Sequence, residues 1–218
     1  MALPPSRLPA SLRALANRDF RLFTAGQLVS LIGTWMQSVA QSWLALELTN
    51  SPFRLGLVGT VQFLPMLLLS PLAGVLADRV SKRRLLITTQ SVMAVQALGL
   101  AILVWLGHVQ YWHVLIMATI YGLANTLDIP ARQAFVAEMV GKESLVSAIA
   151  LNSAVFNGAR VVGPAAAGLA IARWGTATAF GVNAISFMAV IAALIAMHTE
   201  GEPRRTAGRR IHHEIGEG

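Results

Sequence analysis

Three ionisable side chains stand in stretches that otherwise carry almost no charge: Asp128, Arg132 and Arg160. Asp128 and Arg132 are four residues apart, which on a helix places them on one face and within reach of each other. A charge near the centre of an apolar helix costs about 2.5–3.5 kcal/mol on insertion scales, so such groups pair or face water. Asp128 and Arg132 can neutralise one another. Arg160 is then left over, either as a positive charge facing a cavity and able to attract an anion, or as part of a structural ion-pair network. Uncharged polar stripes accompany them. Gln27, Ser30, Thr34, Gln37 and Gln41 recur at three- and four-residue intervals, as do Tyr121, Asn125, Asp128 and Arg132, and then Ser153, Asn157 and Arg160. Each set falls on one helical face. Such faces are unfavourable against lipid, so they line water or protein, or they bind helices together through interhelical hydrogen bonds.

Bond-making chemistry has no comparable support. The sequence has no cysteine, hence no thiolate nucleophile, cysteine metal site or disulfide framework. A Gly-x-Ser-Gly nucleophile with a membrane histidine, as an intramembrane serine protease would need, is absent. His212, His213 and Glu214 lie together in a polar tail without further ligands and are read as solvated, so no metal is expected.

The elements that must carry these residues follow from composition. Of the 218 residues 55% are hydrophobic and 12% charged, against about 25% charged in ordinary globular domains. Lipid must therefore cover much of the surface. The net charge of +7 sits in short clusters between long uncharged stretches, which argues against a nucleic-acid footprint. A bilayer core needs about 20 helical residues. Leu22 to Leu46 and Leu55 to Ala77 are charge-free. Leu85 to Leu127 is too long for one span and breaks at Gly107, His108, Gln110 and Tyr111. Continuing the fourth helix through Pro130 to Met139 gives it enough length and sets Asp128 near the midplane. Ser144 to Ala172 makes a fifth span and Thr176 to Met197 a sixth. The expected fold is thus an all-α membrane protein of six transmembrane helices.

Lys and Arg orient it. With both ends cytoplasmic, the inner segments carry Arg7, Arg13, Arg18, Arg21, Arg79, Lys82, Arg83, Arg84, Lys142, Arg204, Arg205, Arg209 and Arg210, whereas the outer loops carry only Arg54 and Arg173. Trp105, Trp112 and Trp174 suit interfacial anchors. The expected organisation is a cytoplasmic segment 1–20, a transmembrane unit 21–198 and a tail 199–218. Spans two and five end alike, with Pro71 and Gly74 paralleling Pro164 and Gly168. That similarity divides the unit into repeats of about 21–107 and 110–198, a 3+3 inverted repeat of the kind found in secondary transporters.

Between spans two and three the chain reads Gly74-Val-Leu-Ala-Asp78-Arg79-Val-Ser-Lys82-Arg83-Arg84-Leu-Leu. This resembles the loop signature of the major facilitator superfamily, with Ser81 and Lys82 departing from its usual glycine and arginine. Glycine at position 74 permits close approach of another helix, and Asp78 stands where it can pair with cations. The resemblance implies a latch of Gly74, Asp78, Arg79, Lys82 and Arg83, joined by Glu138 at the inner end of span four. A narrower similarity, carried by Asp128 to Glu138 and by Ala150 to Pro164, is to the enterobactin-exporter and macrolide-efflux branch. Gly163, Pro164 and Gly168 echo the family's fifth-helix motif. Many relatives carry an arginine earlier in span four; it would fall near Ala118, where this chain has no basic residue.

The resemblance implies the amino-terminal half of a twelve-helix exporter in a bacterial inner membrane. It would move a small molecule (drug or siderophore-like) by alternating access, with no bound cofactor and a proton gradient as candidate energy source. Gln27, Thr34, Gln37, Gln41, Asn125, Asp128, Arg132, Asn157 and Arg160 are the candidate substrate surface. A second six-helix half or a homodimer is the expected partner; the competing reading is a truncated, non-transporting half acting only through another membrane chain.

Overall fold

The structure, a computed structural model, describes residues 10–202. Arg7, Arg204, Arg205, Arg209, Arg210, His212, His213 and Glu214 lie outside the described residues. Within them the regular elements are helical: a short 3-10 helix Ala10–Ala16, then α1 (Arg18–Thr49), α2 (Pro52–Arg79), α3 (Lys82–Trp105), α4 (Tyr111–Trp174) and α5 (Thr176–Ala196).

Local chemistry sets the boundaries. Asn17 caps α1, its side-chain oxygen accepting from the backbone N–H groups of Asp19 and Phe20. Ser51 caps α2 ahead of Pro52, whose missing N–H costs nothing in a first turn. Ser81 caps α3. The expected break after α3 falls at Gly107, which turns the chain at φ +70°.

Helix α4 holds 64 residues, about 96 Å if it were straight and far more than a bilayer's thickness. It bends at Gly141, where φ 66° and ψ 177° are angles only glycine adopts without strain. The fourth and fifth sequence spans are therefore two limbs, residues 111–140 and 142–174, joined without an intervening loop.

Two apolar clusters close opposite ends of the bundle. One gathers Phe20, Ala77, Leu86, Phe135, Met139 and Leu194; the other gathers Leu44, Val58, Leu100, Val114 and Ala179. Each helix in turn, and each limb of α4, has a residue against both clusters, so the chain runs back and forth between them. The start of α1 and the end of α5 meet at the same cluster. Packing is not sequential: α1 lies against α4 and α5, α2 against α4, and α3 against both α4 and α5, while α2 and α3 barely touch.

Polarity is inverted relative to a water-soluble protein. Gln37, Gln41, Gln90, Gln96, Asp128 and Asn183 are buried, whereas Leu67 is 78% and Ile185 72% exposed. Helices α2, α3, α4 and α5 are long and apolar enough to cross a membrane. With 32 residues α1 has the length but falls short in apolarity, because its polar stripe displaces hydrophobic side chains.

Gly163 explains how the second limb of α4 reaches α1. A Cβ there would lie against Trp35 and 2.9 Å from the Ile32 carbonyl oxygen. At Gly74 and Gly168 a Cβ would meet nothing within 4 Å, so neither glycine serves a close approach between the described helices. Gly163→Val is therefore expected to destabilise the chain by about 1–3 kcal/mol through overpacking, and Gly168→Val to leave it unchanged. Thermal unfolding of both variants in mild detergent checks this; equal effects would remove Gly163 from the α1–α4 contact.

Candidate functional site

Between the two apolar clusters lies a half-open cavity of about 500 Å³. Helix α1 contributes Gln27, Thr34, Gln37 and Gln41, and the first limb of α4 contributes Asn125, Asp128 and Arg132. Helical periodicity puts each set on one face, and the packing of α1 against α4 turns the two faces toward a common space. Apolar wall comes from Trp35, Phe63, Met66, Met93, Phe156 and Phe187. A smaller cleft of about 350 Å³ lies apart from this, where Arg13 and Asn17 meet Val140, Glu143 and Ser144.

Asp128 is the anchor of the cavity. It is 0% exposed, and donors surround its carboxylate. Oδ1 accepts from Thr89 Oγ1 at 2.7 Å and from Gln90 Nε2 at 2.9 Å. Oδ2 accepts from Arg132 Nε at 2.9 Å and from a terminal guanidinium nitrogen of the same residue. The Thr89 hydroxyl also lies 3.1 Å from the Leu86 carbonyl. Its single proton can serve one acceptor, and the charged one binds it more strongly. A buried carboxylate so enclosed is compensated both in charge and in hydrogen bonds.

Other polar groups of the cavity are tied across helices. Gln41 Nε2 donates to Gln62 Oε1 at 3.3 Å, and Asn183 Nδ2 donates to Gln37 Oε1 at 2.7 Å. Thr89 and Gln90 belong to a short polar run, Thr88 to Ser91, and Gln62 and Asn183 stand among apolar neighbours; the sequence analysis did not single them out. Polarity inside an otherwise apolar span was the available signal.

Asn157 and Arg160 are placed elsewhere. Neither lines the cavity. Asn157 is exposed and donates to the Ser153 carbonyl of its own helix at 2.8 Å. Arg160 is exposed, with its guanidinium 5.7 Å from the ring centre of Trp35, a cation–π contact. Of the two readings of Arg160, a charge in the cavity or a member of an ion-pair network, neither is found among the described residues. The second limb of α4 instead presents Asn152 and Phe156 to it, with Phe156 edge-on to Trp35.

The signature loop divides into two groups. Lys82, 1% exposed in its side chain, pairs with Glu138 at 2.8 Å and donates to the Glu202 carbonyl at 2.8 Å. Arg83 donates to the carbonyls of Leu194 and Ile195, the last turn of α5, and Ser81 Oγ donates to the Glu200 carbonyl. By contrast, Asp78 and Arg79 have no ion pair among the described residues, and Asp78 does not meet Glu138's partner. The segment after α5 is also held by Asp19, which accepts from the backbone N–H groups of His198 and Thr199 and from the Thr199 hydroxyl. Burial alone would raise the Asp19 pKa; the bonds from Thr199 and His198 outweigh it and hold the carboxyl below its ordinary value.

Apolar helices outside, an amphipathic cavity between them and a compensated charge pair at its wall define a multi-pass helical membrane protein. The family model for transmembrane secretion effectors matches residues 10–218. The staphyloferrin A transporter of Staphylococcus aureus is 28% identical over 82% of this chain and 45% of its own length. Macrolide efflux protein A of Streptococcus pyogenes and multidrug efflux pump Tap of Mycolicibacterium fortuitum are each 28% identical over 84% of this chain and 44% of their own lengths. The chain thus spans less than half the length of these curated relatives. It belongs to the transmembrane secretion effector family of the major facilitator transporters.

Asp128 and Arg132 should be energetically coupled. Asp128→Asn strands the guanidinium in the bundle and is expected to cost about 3–5 kcal/mol. Adding Arg132→Gln should recover part of that loss. A double-mutant cycle of thermal stability in detergent reads the coupling, and strictly additive losses would refute it.

Proposed function

We propose that the chain forms one half of a twelve-helix exporter, six spans in a 3+3 inverted repeat, that moves a small amphipathic molecule across a bacterial inner membrane by alternating access. The observation that carries this reading is the cavity: glutamine and asparagine side chains alternate with tryptophan, phenylalanine and methionine around one internal space. Such a wall suits a drug- or siderophore-like molecule with an apolar body and a few polar groups. The names of the relatives, which refer to staphyloferrin A, macrolides and multiple drugs, agree with that class. Asp128 and Arg132 are spent on each other, so the cavity has no net charge from them and an anion is not specially favoured.

The second half would cover what this half leaves open. Asn152, Ser153, Asn157 and Arg160 are exposed on the second limb of α4, and polar groups at membrane depth need protein or water beside them. Gly74 and Asp78, open in this half, are the part of the signature loop available to a partner. Lys82, Arg83 and Glu138 act within the half, holding the loop to the end of α5. The partner is a second six-helix unit, either further polypeptide or a second copy.

Efflux should therefore require that unit. The expected result is no substrate efflux from proteoliposomes holding the 218-residue chain alone, and a detergent particle that is larger than a monomer or unstable. A monodisperse monomer that moves substrate would overturn the half-transporter reading.

The start of α1 and the end of α5 share one apolar cluster, and the excess of Lys and Arg beside both supports a cytoplasmic location for the two ends. Reporter fusions at His108 and at Gly218 are expected on opposite sides of the membrane, the latter inside. Fusions reporting the same side would exclude six spans.

A further inference from the structure

Arg160 stands near the middle of the second limb of α4, and no carboxylate pairs with it among the described residues. The ion pairs there join Arg18 and His198 to Asp19, Lys82 to Glu138, and Arg132 to Asp128. What Arg160 does touch is the indole of Trp35, with its guanidinium 5.7 Å from the ring centre. That indole is itself part of the cavity wall. A positive charge is thus separated from the cavity by the thickness of one side chain. The close approach at Gly163 sets Trp35 between α1 and this limb, and Phe156 stands edge-on to its ring. The cavity is otherwise balanced in charge. Asp128 and Arg132 line it and neutralise one another, and no other Asp, Glu, Lys or Arg among the described residues lines it. A unit charge acting across about 10 Å, at an effective dielectric of about 20, changes an affinity roughly tenfold. The π-face works in the same direction. A cation already seated on the indole uses the ring's attraction for positive charge and leaves less for a second one.

We propose that Arg160 sets the charge preference of the cavity from behind Trp35, so that cations are disfavoured there relative to anions of the same shape. This rests on the reading of the cavity as the substrate site. The Asp128–Arg132 pair has no preference of its own, and Arg160 supplies one without touching the ligand. Its effect passes through space and through the indole. It therefore depends on the sign of the ligand's charge and not on the ligand's fit.

Tetraphenylphosphonium and tetraphenylborate test this, since they have nearly one shape and opposite charges. Both are titrated against the full chain in lipid nanodiscs, in which Trp43, Trp105, Trp112 and Trp174, all exposed, are replaced by phenylalanine. The emission of Trp35 then reports an ion seated in the cavity. The two ions partition differently into lipid, so the reading is the change in their affinity ratio between chains in the same lipid. Arg160→Gln is expected to move that ratio roughly tenfold in favour of the cation, and Arg160→Lys to leave it nearly where it was. Asn157→Asp sets a carboxylate one turn before Arg160 and keeps the guanidinium, so it should move the ratio in the same direction as Arg160→Gln. It carries the test should Arg160→Gln fail to fold. A merely structural role for Arg160 would weaken both ions alike. A ratio unmoved by the neutralising variants, or moved as far by Arg160→Lys, would overturn the charge assignment and leave the cavity standing. No response of Trp35 to either ion in folded protein would overturn the cavity reading and this inference with it.

Discussion

A carboxylate buried among apolar helices must be surrounded by donors, and Asp128 imposes that requirement on its neighbours. An ion removed from water loses several kcal/mol of solvation in real proteins even after relaxation, on the order that only pairing and further hydrogen bonds can offset. Arg132 supplies the charge from the next turn of the same helix. Thr89 and Gln90 supply the remaining bonds from α3, which fixes the rotation and height of α3 against α4. With α3 so placed, its apolar residues fall into the clusters at the two ends, Leu86 at one and Leu100 at the other. The polar layer is confined to the middle, where the cavity lies.

The end of the bundle near Gly141 obeys a different constraint. The last carbonyls of α5 and those of the segment beyond it need donors, and the signature loop provides them through Ser81, Lys82 and Arg83, while Asp19 takes up the N–H groups of His198 and Thr199. Two of the loop's basic side chains, Lys82 and Arg83, are therefore used in closing this half upon itself. The side chains of Asp78, Arg79 and Arg84 have no ion pair or hydrogen bond among the described residues. Separating the roles in this way gives Ser81 and Lys82, the two departures from the usual loop pattern, a use of their own: both bond the chain that leaves α5.

The helices could be read from charge-free runs because lipid tolerates few alternatives, and α1, α2, α3 and α5 lie where those runs predict. The α1 stripe was legible for the same reason: Gln27, Thr34, Gln37 and Gln41 share a face by helical geometry, whatever that face meets. Arg160 was not legible. It also lies on the polar face of a helix, but the close approach of α1 at Gly163, one turn on, brings Trp35 beside it, and the guanidinium ends over the indole ring. Thr89 and Gln90 are adjacent rather than a helical turn apart, so they gave no periodic pattern, and the carboxylate they bond is on another helix.

The sequence by itself determined the all-helical build, the length of the spans, the polar stripe of α1 and the pairing of Asp128 with Arg132, because each of these depends on residues within a few turns of one another. Only the tertiary structure decided which stripes face one cavity, which amide end Gln90 presents and which basic residues of the loop are engaged. Those outcomes join positions far apart in the chain, such as Gln37 with Asn183 and Lys82 with Glu202. They turn on the rotation of each helix about its own axis. That rotation is set by where backbones approach and where a buried charge finds donors, and no local pattern along the chain encodes it.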